Sequence, residues 1–338
     1  MKDMTIPGLE ADQRKVKYRA GMKLKAIAGD EHAKAWLAKA QGETPSNFSG
    51  GFLAGEEVAS LIIPLREQYG AFRKTAQIVR MAEDTTFVPR RTSGLTASWT
   101  LENTAITESS AAFDAVGGVA KKLAVLVKCS SELLEDSAPD LASFVAEEAA
   151  FLFAQEEDTA AFTGTGTSTH AGITGVVSRL QNEGTGGRSI ATGHSTIATI
   201  TNADLTAMIA LLPAFALPRA AWFAHSYTLA NCFFALGATS GGMMQRPDGT
   251  LSYLGFPIIP TQALVGSGAT TGNMPIVFGD MSQAAILFER RELSIAASWQ
   301  RFLEQDLTVF RITERIDIVV HALNSTSAAG PVVGLQLG

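Results

Sequence analysis

The sequence predicts an α+β fold: a mixed sheet packed with one long helix, and a second unit of short strands and helices inserted over about residues 201–289. Three observations carry this expectation. A long helical segment begins after Ser137 and stops at a Gly/Thr turn. Short helix and strand signals then alternate, and alternating runs at Leu293–Ala297 and Leu307–Val320 read as paired strands.

The first 49 residues form an arm. Met22, Ile27, Ala35, Trp36 and Ala38 give short helical periodicity over Arg19–Lys39, and a Gly/Ser/Pro-rich hinge from Gly42 to Gly51 closes the segment. Residues 1–40 hold nine Lys/Arg against five Asp/Glu, which is plus four; the whole chain is minus six, so the remainder is minus ten. A basic arm thus precedes an acidic body. Such an arm is either a solvated helix or a segment that reaches an acidic neighbour or nucleic acid, with Arg14, Lys15, Lys17 and Arg19 as its contact candidates.

Residues from about 55 to 72 read as a helix leading to a strand at Gln77–Met81. From Thr92 to Ala120 the chain turns to Thr, Ser, Ala and Gly with isolated large apolar residues. A loop of this length is functional or disordered as a rule. Leu95, Trp99 and Leu101 alternate within it and have little core of their own to enter, so burial against another chain is the favoured reading. The alternating run Leu123–Val127 then returns as a strand.

Between Cys129 and Ser178 there is no Lys or Arg, while nine carboxylates accumulate. Ser137 is placed to cap the helix, Pro139 suits its first turn, and Asp140 completes a capping-box-like pattern. Leu141, Phe144, Val145 and Leu152 recur at helical spacing and mark a packing face, which leaves the carboxylates outward. Glu147, Glu148, Glu156 and Glu157 are therefore candidates for contact with a basic partner. The helix stops where Gly164 and Gly166 begin.

Residues 181–200 are a polar Gly/Thr/Ser stretch. Helices are expected at Asn202–Leu212 and Ser226–Leu236, strands at Ala220–Ala224 and near Ile258, Ile276 and Ile286, and a turn at Pro247-Asp248-Gly249. No internal repeat is visible.

Composition bounds the function classes. Charged residues are 18% against a usual share of about 25%, and hydrophobic residues reach 46%, which suits large buried interfaces. No apolar run is long enough for a membrane span, and no signal peptide pattern is present. Cys129 and Cys232 sit among apolar neighbours and read as buried thiols. His32, His170, His194, His225 and His321 are scattered without metal-ligand spacing. Gly164-Thr165-Gly166-Thr167 lacks the Gly-Lys-Ser/Thr ending of a phosphate loop and follows a helix, and no nucleophile elbow exists. The acidic clusters at Glu132, Glu135, Asp136 and at Glu156, Glu157, Asp158 read as solvated or Arg-paired carboxylates, with a cation site as the lesser alternative. No catalytic residue, cofactor or metal is assigned.

The run from Lys128 to Gly172, with S-x-E-L-L-E-D-S before the helix and G-T-G-T leading to Gly172-Ile173 after it, closely resembles the spine helix of the tailed-bacteriophage major capsid proteins. Further landmarks follow in the family's order: Gly50-Gly51-Phe52-Leu53, Ala97-Ser98-Trp99-Thr100 with Glu102, Leu254-Gly255-Phe256-Pro257, Phe278-Gly279-Asp280 and Arg311–Asp317. The resemblance covers roughly residues 48–325. Family members typically carry Pro before the final Gly-Ile of the turn, where this chain has Ala171, a departure that implies a less rigid turn.

The resemblance implies an N-terminal arm at 1–49 and the first part of a peripheral domain at 50–91. An extension loop over a neighbouring subunit follows at 92–122, and the spine-helix part of the peripheral domain at 123–200. An axial domain spans 201–289, and the last peripheral strands with a tail span 290–338. It implies a shell subunit that forms pentamers and hexamers around double-stranded DNA in a virion, assembled in the host bacterial cytoplasm. Its expected partners are itself, scaffolding and portal proteins, decoration proteins and packaged DNA, with no membrane. Some members cross-link a loop Lys to an Asn of another subunit; from Thr92 to Ala120 this chain has no Lys, and Ala115 stands at the matching position. A non-covalent shell is therefore expected. An encapsulin-type compartment shell is the near alternative, and a small-molecule enzyme the remote one.

Overall fold

The computed structural model describes residues 70–93, 95–100, 105, 108–130, 140–182, 184–247, 249–321, 323 and 328–338. Arg14, Lys15, Lys17, Arg19, the segment 50–69, Leu101 and the expected cap at Ser137–Pro139 lie outside them.

A short helix α1 (Ala71–Thr75) leads into β1 (Gln77–Arg80). Among the described residues, strands β2 (Thr85–Ser93) and β3 (Ala112–Val119) pair only with each other, antiparallel from Thr85↔Val119 to Ser93↔Ala112. Pro89 within β2 fits a two-stranded ribbon, where a missing N–H costs no inner ladder. Then β4 (Lys121–Ser130) joins β11 (Ala285–Phe302) and β12 (Leu307–Val320) in a four-stranded sheet of order β1-β11-β12-β4. The paired strands expected near 293–297 and 307–320 are these, running antiparallel from Ala285↔Val320 to Phe302↔Leu307.

The long helix α2 (Asp140–Thr163) spans 24 residues and lies against β12 and β4. Helix α3 (Val176–Asn182) follows the turn. A seven-stranded sheet of order β5-β13-β10-β6-β9-β8-β7 makes the second unit. Its strands are β5 (Arg188–Ala191), β6 (Ala221–Ala224), β7 (Met243–Gln245), β8 (Leu251–Tyr253), β9 (Phe256–Pro260), β10 (Ile276–Gly279) and β13 (Val332–Leu337). Helix α4 (Asn202–Leu211) starts with a capping box in which Thr201 and Asp204 satisfy each other's backbone N–H groups. Helix α5 (Ser226–Ser240) carries a π-helical turn at Leu229–Phe233, and α6 (Met281–Ala284) is capped by Asp280.

Two cores sit on opposite faces of the seven-stranded sheet. One joins Phe72, Phe162, Leu180, Phe223, Val277 and Ile318, and so binds the end of α2 to both sheets. The other centres on Trp222, which stacks on Phe278 at 4.1 Å and donates its indole N–H to Tyr253 O at 3.1 Å.

Three boundaries differ from the sequence expectation. The expected loop over 92–122 is a hairpin that already begins at Thr85, and Lys121 and Lys122 belong to β4, opposite Ile316 and Arg315. The polar stretch 181–200 contributes β5 to the seven-stranded sheet. Residues 332–337, expected in the tail that follows the last strands of the first unit, form a strand between β5 and β10. Their pattern Val-Val-Gly-Leu-Gln-Leu suits a buried inner strand, and pairing on both edges satisfies its backbone.

Candidate assembly interface

The buried stripe of α2 follows the helical period through Val145, Ala149, Ala150, Phe153, Ala154, Glu157, Asp158 and Ala161. Glu147, Glu148 and Glu156 are exposed on the other side, as the sequence suggested. Glu157 is not: it is 2% exposed and bonds Arg73 of α1 through two contacts of 2.9 and 3.0 Å. It falls on the packing stripe, so its carboxylate meets a partner within its own chain and is withdrawn as a contact candidate between subunits.

Arg73 also reaches Glu289 of β11 at 3.5 Å and Glu314 of β12 at 3.3 Å. Burial alone would lower the Arg73 pKa; the charge of Glu157, with Glu314 and Glu289 beside it, outweighs that and holds it above its ordinary value. Beside this cluster Asp158 accepts the N–H groups of Ala71 and Phe72 at 3.0 and 2.9 Å, capping α1 from a distant helix. Burial raises the Asp158 pKa, partly offset by those N–H donors. One turn of α2 thereby fixes α1 and the four-stranded sheet together.

The turn after α2 consumes its amides internally. Gly166 N–H donates to Ile173 O, Gly172 N–H to Thr167 O and Gly175 N–H to Gly164 O, which leaves no anion cradle of these amides. A Cβ on Gly164 would stand 2.4 Å from Ala160 O, so the helix can end this tightly only at glycine. Ala171 adopts φ 50°, a conformation closed to proline, whose ring holds φ near −65°. The substitution for the family's Pro therefore goes with a different turn geometry, one pinned by hydrogen bonds at 167–173.

The hairpin projects its apolar side chains into solvent. Trp99 is fully exposed, Leu95 and Phe87 are each 67% exposed and Phe113 73%. Its base packs through Val116 and Val88 onto Met81, Ile286 and Phe288. Gly118 allows this contact, since a Cβ there would stand 2.5 Å from the Phe288 ring. Buried Asp317 accepts Val119 N–H and the Lys121 ammonium, each at 2.8 Å, and the Arg90 guanidinium donates to the His321 carbonyl. The hairpin is anchored at its base and bare beyond it.

Cys129 and Cys232 are free and buried; burial, with the Asp204 charge added, pushes the Cys232 thiol up to about 12, far from a reactive thiolate. A cleft of about 270 Å³ gathers Lys121, Lys122, Glu156 and His170 beside the turn, where Lys121 is already engaged by Asp317. Among the described residues no His/Cys/Asp/Glu group suits a metal ion, and no helix is long and apolar enough to cross a membrane.

The chain is thus an α+β subunit with a sheet-backed long helix, a second sheet unit and a protruding ribbon, and solved structures share this fold. The capsid of the native GTA particle matches with TM-score 0.61 at 18% identity, over 79% of this chain and 90% of that one. A chain of Mycobacterium phage Cain matches with TM-score 0.57 at 17% identity, over 80% and 91%. The SrpI encapsulin from Synechococcus elongatus also matches, with TM-score 0.53 at 10% identity over 78% and 85%. No curated protein matches the sequence. The chain belongs to the phage capsid family, whose family model matches residues 50–325. It is a structural major capsid protein, a self-assembling component of the virion shell.

Proposed function

We propose that copies of this chain form pentamers and hexamers that close into an icosahedral shell around double-stranded phage DNA, and that the subunit performs no catalysis. The hairpin carries this reading: an anchored ribbon bearing Trp99, Leu95 and Phe113 in solvent is stable in a monomer only at the cost of exposed apolar surface, which a neighbouring copy removes. On this reading the second unit lies near capsomer centres and the basic arm with Arg14, Lys15, Lys17 and Arg19 meets the Glu147, Glu148 and Glu156 face or the genome. Scaffolding, portal and decoration proteins are the remaining partners, and the host cytoplasm is the place of assembly. The family match favours a genome shell over an encapsulin compartment.

Electron microscopy and sedimentation of the full chain, expressed with a scaffold, should show closed shells or capsomers; well-folded monomers at every concentration would count against assembly. Boiling particles in detergent should release single chains of 35.7 kDa. A heat- and reductant-resistant ladder would overturn the non-covalent shell.

A further inference from the structure

Three cations form a row across the four-stranded sheet at the base of the hairpin. Lys122 of β4 stands directly opposite Arg315 of β12, and β11 lies on the other side of β12. There the register slips between Glu289 and Arg291, which makes Arg290 the extra residue of a bulge. Bulges re-aim side chains and recur beside functional sites. Arg290 donates to Oδ1 of Asp84, and the Arg315 guanidinium lies 2.9 Å from that same oxygen. Neighbouring strands are about 4.8 Å apart, so three positive charges stand within reach of one small ligand. Like charges directly opposite on a sheet are destabilising. Among the described residues, neither arginine pairs with an acid other than Asp84, and Lys122 pairs with none. Nearby Asp317 is already taken by Lys121 and by the N–H groups of Val119 and Ile318.

We infer that Arg290, Arg315 and Lys122 form a binding site for a small phosphate-type oxyanion, which takes the place of the Asp84 carboxylate. A guanidinium presents its N–H donors in a fixed fork, and two forks that share one carboxylate oxygen leave most of those donors to water. A phosphoryl group brings three acceptor oxygens and about two negative charges, enough to give each arginine its own acceptor and to reach the Lys122 ammonium. Another carboxylate would only repeat what Asp84 offers, one charge and two oxygens. The site is open to exchange: Asp84 lies in the bend between β1 and β2, with its side chain 64% exposed. One anion can therefore replace the other without opening the core. The inference concerns a single chain and stands apart from the shell reading.

The test is isothermal titration of the full chain with pyrophosphate, at constant ionic strength because salt alone screens exposed charges. Binding should saturate. Arg315→Gln and Arg290→Gln should each weaken it about tenfold, the scale of one charge-assisted hydrogen bond. Lys122→Gln should weaken it about threefold, as suits an exposed charge. That variant keeps the test valid if an arginine variant misfolds, since the Lys122 ammonium has no partner within the subunit. Asp84→Asn should tighten binding about threefold, because the competing charge is gone. A merely structural Asp84 would instead lower the melting temperature on substitution and leave pyrophosphate binding as it was. Absence of saturable binding, binding indifferent to the cation variants that fold, or an Asp84→Asn chain that binds no tighter overturns the inference. A short duplex DNA that binds through these residues where pyrophosphate does not would assign the row to nucleic acid and overturn it as well.

Discussion

The last turns of α2 and the β2–β3 hairpin use their side chains in opposite ways. Around Glu157 and Asp158 ionic groups are buried and matched by Arg73 and by the N–H groups of α1. On the hairpin the large apolar groups are outside, where globular proteins rarely leave aromatic residues together. The polarity of each region is inverted with respect to the usual rule. The first inversion holds the subunit together, and the second leaves it incomplete until another chain arrives.

The harshest way to break this contrast is Arg73→Leu. It leaves Glu157, Glu289 and Glu314 buried beside one another without the guanidinium, and should cost about 3–5 kcal/mol of subunit stability. Chemical denaturation of the dissociated subunit measures it; a loss below about 1 kcal/mol, the scale of a surface pair, would mean the cluster is solvated in practice.

Gly118→Val probes the joint between the two regions. The added carbons meet the Phe288 ring, so the ribbon must lift or the ring must turn, at about 1–3 kcal/mol. An unchanged melt would show that the ribbon base does not pack as described.

His321 gives the same joint a pH dependence. Burial first, then the positive charges of Arg90 and Arg179, lower its pKa from 6.5 to about 4. The unfolded chain therefore takes the proton first, so this contribution is fully present above pH 6.5, falls as pH drops toward 4, and is flat below. The stability difference between wild type and His321→Gln should narrow across that window in wild type's disfavour. A difference independent of pH from 7 to 4 would contradict the burial of the imidazole.

The smallest effect on the subunit belongs to Trp99→Ala. A fully exposed side chain contributes within about 0.5 kcal/mol to its own fold. Shells, in contrast, should lose cohesion, seen as release of capsomers at lower denaturant. A subunit that unfolds with no change in shell contacts would reverse the assignment of the two regions.

Much of the fold was legible because the signals were local. The acidic helix with its stop at Gly164, the 307–320 strand, the α4 start and the Gly249 turn each carry their cues within a few residues. The misreading of Glu157 came from treating residue type as stronger than period: Ala150, Phe153, Ala154 and Ala161 already mark the stripe on which residues 157 and 158 fall. A charged residue on that stripe signals a buried partner, but the identity of Arg73 could not be read locally. Likewise Thr85-Thr86-Phe87-Val88 has the β-branched character of a strand, and the ribbon's early start was visible in it. The pairing of β5 with β13 was not, since it joins segments far apart in the chain with nothing local to set their register. Of the candidate interface, exposed Leu95 and Trp99 stood out by their place in a polar loop, whereas the exposure of Phe87 and Phe113 needed the pairing of β2 with β3.

The place of β13 also constrains how the subunit is made. Translation delivers β5, β6 and β10 well before β13, yet β13 fills the slot between β5 and β10. Until the ribosome has passed residue 337, the growing chain holds a sheet with a gap and two unpaired edges. Such a nascent chain is exposed to wrong pairing with its neighbours on the same messenger. A chain cut before residue 332 should therefore lack the β5–β13 and β13–β10 pairings, which places the completion of this sheet among the last steps of making the subunit.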